Sequence, residues 1–136
     1  MATDSQKLTQ SVVRLTRRLR QERHSELSPS QMSVLGTLRT NGPQTPSEIA
    51  AYERVQPPSI TRTINCLADA DYVVRSAHPE DGRQVIVTIS DQGEEILAAE
   101  RARRDQWLAQ HFTKLSTTDK KTLREAIVVL DKLAAS

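Results

Sequence analysis

Between Gln56 and Asn65 the chain gathers short polar side chains around a single arginine: Ser59, Thr61, Arg62, Thr63 and Asn65 follow Gln56-Pro57-Pro58. Short hydroxyls and amides let a helix approach a surface closely and offer donors and acceptors to base edges. An arginine among them can take guanine O6 and N7 with two bonds. The start of such a helix also offers N–H groups to a phosphate. Further on, Asp81 and Arg83 stand two apart across an Asp-Gly turn, with Gln84 next. A carboxylate so placed holds a guanidinium in one orientation by charge-assisted bonds. An arginine fixed in that way suits a narrow A·T-rich minor groove, where negative potential concentrates.

Other chemistry finds little footing. The chain has no clustered acid–base pair, nucleophile elbow, P-loop or glycine-rich phosphate cradle, which argues against an enzyme. His24, His78 and His111 lack ligand spacing and a supporting cysteine or acidic cluster, so they read as ordinary surface or hydrogen-bonding residues, with no metal or other cofactor expected. Cys66 is the one cysteine and reads as a core or near-surface structural thiol rather than a redox sensor. It lies one turn after Arg62, where oxidation would disturb the polar face. Trp107 and Phe112 read as core or dimer packing in preference to the walls of a ligand pocket.

Elements must position these residues. Leu8, Val12, Leu15 and Leu19 recur at helical spacing and predict a helix over 6–24. Ser28-Pro29-Ser30-Gln31 is a capping box with proline at the first helical position, so a second helix begins at Pro29. Met32, Leu35 and Leu38 face its core. Asn41-Gly42-Pro43 stops it, with Gly42 as a left-handed C-terminal residue. Thr45-Pro46-Ser47-Glu48 repeats the device and opens a short helix over 46–53, with Ile49 and Ala50 inward. After Val55-Gln56-Pro57-Pro58, a helix over 57–70 buries Ile60, Ile64 and Leu67 and turns the polar set to the opposite face. The period then changes. Tyr72-Val73-Val74 and Val85-Val87-Ile89 read as a single strand pair, joined by the eight-residue loop from Ser76 to Arg83. Ser90 caps a long amphipathic helix that carries Ile96, Leu97, Trp107, Leu108 and Phe112 and ends near Lys114. Ser116 to Asp119 caps a last helix with a stripe of Leu123, Ala126, Ile127, Leu130 and Leu133.

Aromatic residues are only 3% of the 136, so the core must be aliphatic. No apolar run approaches the roughly 20 residues that span a bilayer. The polar stretch Met1 to Lys7 is not followed by a signal-peptide core. With a lone cysteine, these features predict a cytoplasmic protein with no membrane partner. The net charge of +2 does not mark a nucleic-acid binder. Residues 39–90 carry five basic and six acidic side chains, a balance that eases if Asp81 is paired with Arg83 and Glu48 is used in its cap. Lys7, Arg14, Arg17, Arg18, Arg20 and Arg23 flank the first helix; they suit either a wider phosphate footprint or salt bridges across a dimer.

The order helix, helix, short helix, turn, polar-faced helix, hairpin, two long helices is the plan of a winged helix-turn-helix, mainly α with a small β-hairpin wing. On that plan the DNA-facing set is Gln56, Pro57, Pro58, Ser59, Thr61, Arg62, Thr63, Arg75, Asp81, Gly82, Arg83 and Gln84. The residues also carry a resemblance. Pro57-Pro58-Ser59-Ile60-Thr61-Arg62 with Leu67, then Val73, Val74 and Arg75, then Asp81-Gly82-Arg83, a strand and Ile89-Ser90-Asp91-Gln92-Gly93 resemble the multiple-antibiotic-resistance regulator (MarR) family. The family's Asp-x-Arg stands in the wing. Its Leu-Thr becomes Ile89-Ser90, which keeps the cap. A glycine common before the first wing strand is replaced by Asp71-Tyr72.

The resemblance implies one domain over 1–136, with a DNA-binding lobe over 29–90 and interlocking dimerisation helices over 6–24 and 91–134. It further implies a homodimer on a pseudo-palindromic operator in double-stranded DNA, acting as a repressor. Release by a small aromatic or anionic effector, held near residues 15–35 and the start of the helix after Ser90, is also implied. Apolar stripes at both ends of so small a chain predict pairing independently, through Leu8, Val12, Leu15, Leu19, Phe112, Leu123, Ile127, Leu130 and Leu133. The alternative is that every stripe packs within one chain. A winged-helix protein-interaction module without specific DNA binding is the alternative function.

Overall fold

The computed structural model describes residues 1–22 and 27–136. Its elements are α1 (Asp4–Gln21), α2 (Pro29–Asn41), α3 (Pro46–Glu53), α4 (Pro57–Asp69), β1 (Val73–Ala77), β2 (Val85–Ile89), α5 (Asp91–Thr113) and α6 (Thr117–Ala134). The expected extension of the first helix to residue 24, and the role read for His24, fall outside the described residues.

Local chemistry sets most helix starts. Ser28 with Gln31 and Thr45 with Glu48 form the two expected capping boxes, each with proline in the first turn. Thr3 and Gln6 form a third, which starts α1 two residues before the apolar stripe suggested. Ser90 Oγ accepts from the Gly93 N–H at 3.0 Å, and Ser116 Oγ accepts from the Asp119 N–H at 3.0 Å. Each cap satisfies an N–H that the helix itself cannot. At the end of α2, Gly42 adopts φ 80 and ψ −166. This is not the left-handed helical conformation expected there but an extended one with positive φ, which is open almost only to glycine.

The chain divides into two compact units, residues 24–102 and residues 1–23 with 103–136. The first is built on an aliphatic core: Leu27, Val34, Leu35, Leu38, Ile49, Ala50, Ile60, Ile64, Leu67, Val73, Val87 and Leu97. Each large member contributes roughly 1.5–3 kcal/mol on burial. Val34 takes a core place that was expected of Met32, which is only partly buried. β1 and β2 pair antiparallel, Val73 opposite Ile89 through Ala77 opposite Val85. Ser76 and Ala77 therefore belong to the ladder and not to the loop, which closes only beyond them, on the bond from the His78 N–H to Gln84 O. The hairpin is also not alone. Val87 N–H donates to Gln44 O at 2.8 Å and Gln44 N–H to Val87 O at 3.1 Å, so the α2–α3 connection adds a third β partner.

The second unit contains α1, the last part of α5 and α6. Neither α1 nor α6 has a single buried residue. Leu8, Val12, Leu15, Leu123, Ile127, Leu130 and Leu133 are 40–56% exposed, while Leu19 and Phe112 are half-buried. Packing of every stripe within one chain is thus not what the fold achieves. Trp107 is half-buried, with the Arg18 guanidinium 5.2 Å from its ring centroid and His111 stacked at 4.3 Å. Arg18 also pairs with Glu22 at 3.1 Å. α5 serves both units and has no single apolar stripe: its buried residues are Gly93, Leu97 and Glu100, whereas Leu108 is 41% exposed. Among the described residues no helix is long and apolar enough to cross a membrane.

Candidate nucleic-acid interface

α3 and α4 are joined by a tight turn. Arg54 takes the left-handed conformation that ends α3, φ 57 and ψ 46, and the Val55 N–H returns to Ala50 O at 3.0 Å. α3 is braced against α2 by Glu53, which accepts from Ser33 Oγ and Thr37 Oγ1, both at 2.5 Å. Thr45 and Glu48 exchange bonds of 3.1 and 3.2 Å. The Thr45 backbone and side-chain bonds hold the Glu48 carboxyl below the usual carboxylate range, with a smaller contribution from nearby His78.

Ile60, Ile64 and Leu67 bury one face of α4. Pro58, Thr61, Arg62, Asn65 and Cys66 are exposed, whereas Ser59 and Thr63 are half-buried on its flank instead of facing away from the core. Thr61 Oγ1 donates to Pro57 O at 3.1 Å and Thr63 Oγ1 to Ser59 O at 3.0 Å. With their protons used, these hydroxyls have only lone pairs left to offer, which in exposed Thr61 suits amino groups on base edges.

The start of α4 does not supply the phosphate cradle that sequence suggested. Pro57 and Pro58 have no N–H, and the Ser59 and Ile60 N–H groups are already bonded to Gln56 O at 3.0 and 3.3 Å.

Arg75 on β1 donates from Nη1 to Asn65 Oδ1 at 2.7 Å. This tie between the first wing strand and α4 was not visible in sequence, where the two residues carry no spacing signal. The entry into β1 is equally specific. Asp71 adopts φ 65, its carbonyl accepts from Ser90 Oγ at 2.6 Å, and the Ser90 N–H donates to Tyr72 O at 3.0 Å. A Cβ on Gly93 would lie 2.2 Å from Tyr72 O, so only glycine lets α5 start against this turn.

At the wing tip Asp81 Oδ1 accepts from the Arg83 N–H at 3.1 Å and from Arg83 Nε at 3.3 Å. Asp81 Oδ2 lies 3.4 Å from Gln84 Nε2, and Asp81 O accepts from the Gln84 N–H at 2.9 Å. The Arg83 backbone bond, then its side-chain bond, hold the Asp81 carboxyl below its ordinary range. The Arg83 side chain is nonetheless 93% exposed. Gly82 does not have positive φ, so the Asp81-Gly82 turn within the loop is not of the mirror-image type.

The charge balance of residues 39–90 follows from these contacts. Glu48, Glu53 and Asp81 are all spent on internal partners. Arg39 pairs with Glu94 at 2.8 Å, and Arg62 has no partner among the described residues. Two hollows lie in the same unit. One, about 460 Å³, is lined by Ala70, Asp71, Tyr72, Gln92, Glu95 and Ile96. The other, about 310 Å³, is lined by Ser28, Ser30, Gln31, Ser59, Arg62, Thr63 and Cys66 and borders the polar face of α4. Among the described residues no three His, Cys, Asp or Glu side chains gather as metal ligands.

A helix pair with a polar outer face, followed by a hairpin bearing a fixed arginine, defines a winged helix-turn-helix. The chain belongs to the MarR family of transcriptional regulators. The MarR family profile matches residues 27–85. An HTH-type transcriptional regulator of Mycobacterium tuberculosis is 45% identical over 120 residues, which cover 88% of this chain and 84% of that one. The HTH-type transcriptional repressor MdtR of Bacillus subtilis is 29% identical over 87 residues, 61% of this chain and 56% of that one. Wild-type MarR from E. coli shares the fold with a TM-score of 0.80 at 22% identity, over 96% of this chain and 98% of that one.

Proposed function

We propose that this transcriptional regulator reads a pseudo-palindromic operator as a homodimer and represses the genes beside it. The observation that carries this reading is the outward array on α4, centred on Arg62, which has no partner among the described residues, set beside a wing whose Arg83 is held by Asp81 and left exposed. Arg62, Thr61 and Ser59 meet base edges in the major groove, with Gln56, Pro57, Pro58 and Thr63 around them. Arg83 enters the minor groove, with Gly82 and Gln84 against the backbone. Arg75, held by Asn65, sits where wing and helix meet and contacts phosphate.

The uncovered stripes of α1 and α6 support pairing with a second copy, through the residues named above with Phe112 and Leu19 at the edge. Residues 29–90 form the DNA-binding lobe of a single domain over 1–136, and residues 6–24 and 91–134 the dimerisation region. Repression is supported by the name of the related MdtR. A small aromatic or anionic effector releases the DNA, and the protein works in the cytoplasm.

Selection from random duplexes at two salt concentrations tests the reading. Recovery of an inverted repeat with half-sites about one helical turn apart is expected. Retention of nothing, or of unselected duplex at low salt alone, would replace it with a protein-interaction module, since phosphate contacts release counterions and protein contacts need not.

A further inference from the structure

The wing loop has an organiser at its base that the proposed DNA contacts do not use. His78 is half-buried. Its ring Nδ1 accepts from the N–H of Glu80 and from the N–H of Asp81, both at 3.1 Å. Pro79, between His78 and Glu80, has no N–H, so the ring collects the first two donors the loop presents, as a cap does at a helix start. The His78 N–H closes the loop by donating to Gln84 O at 3.0 Å. The residue whose amide is so held, Asp81, is the one that holds Arg83.

For Nδ1 to accept, the imidazole must be neutral with its proton on Nε2. A second proton would turn Nδ1 into a donor facing two other donors. Among the described residues, the charged groups beside the ring are Glu80 and Asp81 of its own loop and Glu48 at the start of α3, with Arg83 reached through Asp81. A charge on His78 is the smallest of the influences that lower the Asp81 and Glu48 carboxyls. They would draw an imidazolium toward themselves and away from the two amides.

We propose that His78 is a positioning residue for the wing arginine: its neutral ring locks the turn that carries Asp81 and Arg83, and protonation releases that turn and weakens DNA binding. The inference rests on the wing contacting DNA, and its test separates the two. Histidines as a class change charge between about pH 8 and about pH 5, so binding is compared from about pH 8 to about pH 5.5, and the comparison with a His78 variant separates this ring from His24 and His111.

Binding of a labelled duplex carrying the selected repeat is compared for the wild type, His78→Asn, His78→Ala and Arg83→Ala. Asparagine offers an uncharged acceptor near the same place. The wild type is expected to lose about tenfold in affinity relative to His78→Asn over that interval, the scale of two modest hydrogen bonds. His78→Ala should bind weakly at both ends. An added positive charge alone would strengthen wild-type binding relative to His78→Asn on acidification. That outcome, or parallel profiles for the two proteins, would overturn the proposal. Wild-type affinity for Arg83→Ala would instead remove the wing from the DNA contact. Should no duplex be retained, amide resonances of Glu80 and Asp81 still decide: they must move with the His78 titration in the free wild-type protein, and stationary resonances refute the lock.

Discussion

Asp81 accepts both from the Arg83 backbone and from its guanidinium, and its carboxyl titrates lower as a result. A group whose folded pKa is lowered contributes its tie above the unfolded value and loses it as pH falls through the folded one. Titration of Asp81 itself therefore leaves the Asp81–Arg83 pair intact at neutral pH and breaks it only below the ordinary carboxylate range. A carbon-13 titration of the Asp81 carboxyl should show its midpoint below that of a free aspartate. Arg83→Ala should weaken operator binding and reduce the salt slope by about 1. Arg62→Ala should instead relax preference at one base pair in each half-site, by about 1–3 kcal/mol, read by competition with singly substituted duplexes. Uniform weakening across all the substituted duplexes would move Arg62 from base edge to phosphate. Gly82 has open space where a Cβ would stand and an ordinary backbone conformation. Gly82→Ala should therefore leave the melting temperature unchanged or raise it slightly, and any loss of DNA affinity in that variant would report close approach of the duplex.

The elements divide into those written locally and those written at a distance. Gly93→Ala should cost about 1–3 kcal/mol in chemical denaturation, because the new methyl would meet the Tyr72 carbonyl and Ile89 and the start of α5 would have to shift. Asp71→Gly should stabilise by a few tenths of a kcal/mol up to about 1, since glycine removes the cost of the left-handed conformation at the price of a looser unfolded chain. The starts of α2 and α3 were legible because a capping box is complete within four residues, and α4 because Ile60, Ile64 and Leu67 keep helical period. The box at Thr3 and Gln6 is just as local, and a start read from the apolar stripe that begins at Leu8 passes over it. The Gln44–Val87 bridge, the Asn65–Arg75 bond and the two-residue extension of the hairpin were not legible. Each depends on backbone or side-chain groups far apart in sequence, with residue types that carry no pairing code. The roles of His78 and Gly42 escaped for a related reason: they follow from an exact backbone path, which composition does not specify.

For the whole molecule, the apolar residues of α1 and α6 outweigh any single surface charge. Leu130→Asp places a carboxylate within a stripe that is uncovered in the single chain. It should shift sedimentation equilibrium from dimer to monomer and lower operator affinity by at least about tenfold, while circular dichroism retains the helical signal. A variant that stays dimeric would put the pairing surface elsewhere. If α1 and α6 are buried only by a second copy, dissociation uncovers the same surface that unfolding does, and the two equilibria are linked. The melting temperature should then rise with protein concentration, each tenfold increase adding about 1.4 kcal/mol per dimer. Operator occupancy would climb as the square of free monomer while dimers are scarce. Such a regulator counts its own copies: a cell that dilutes it by growth loses both the protected fold and the bound promoter together.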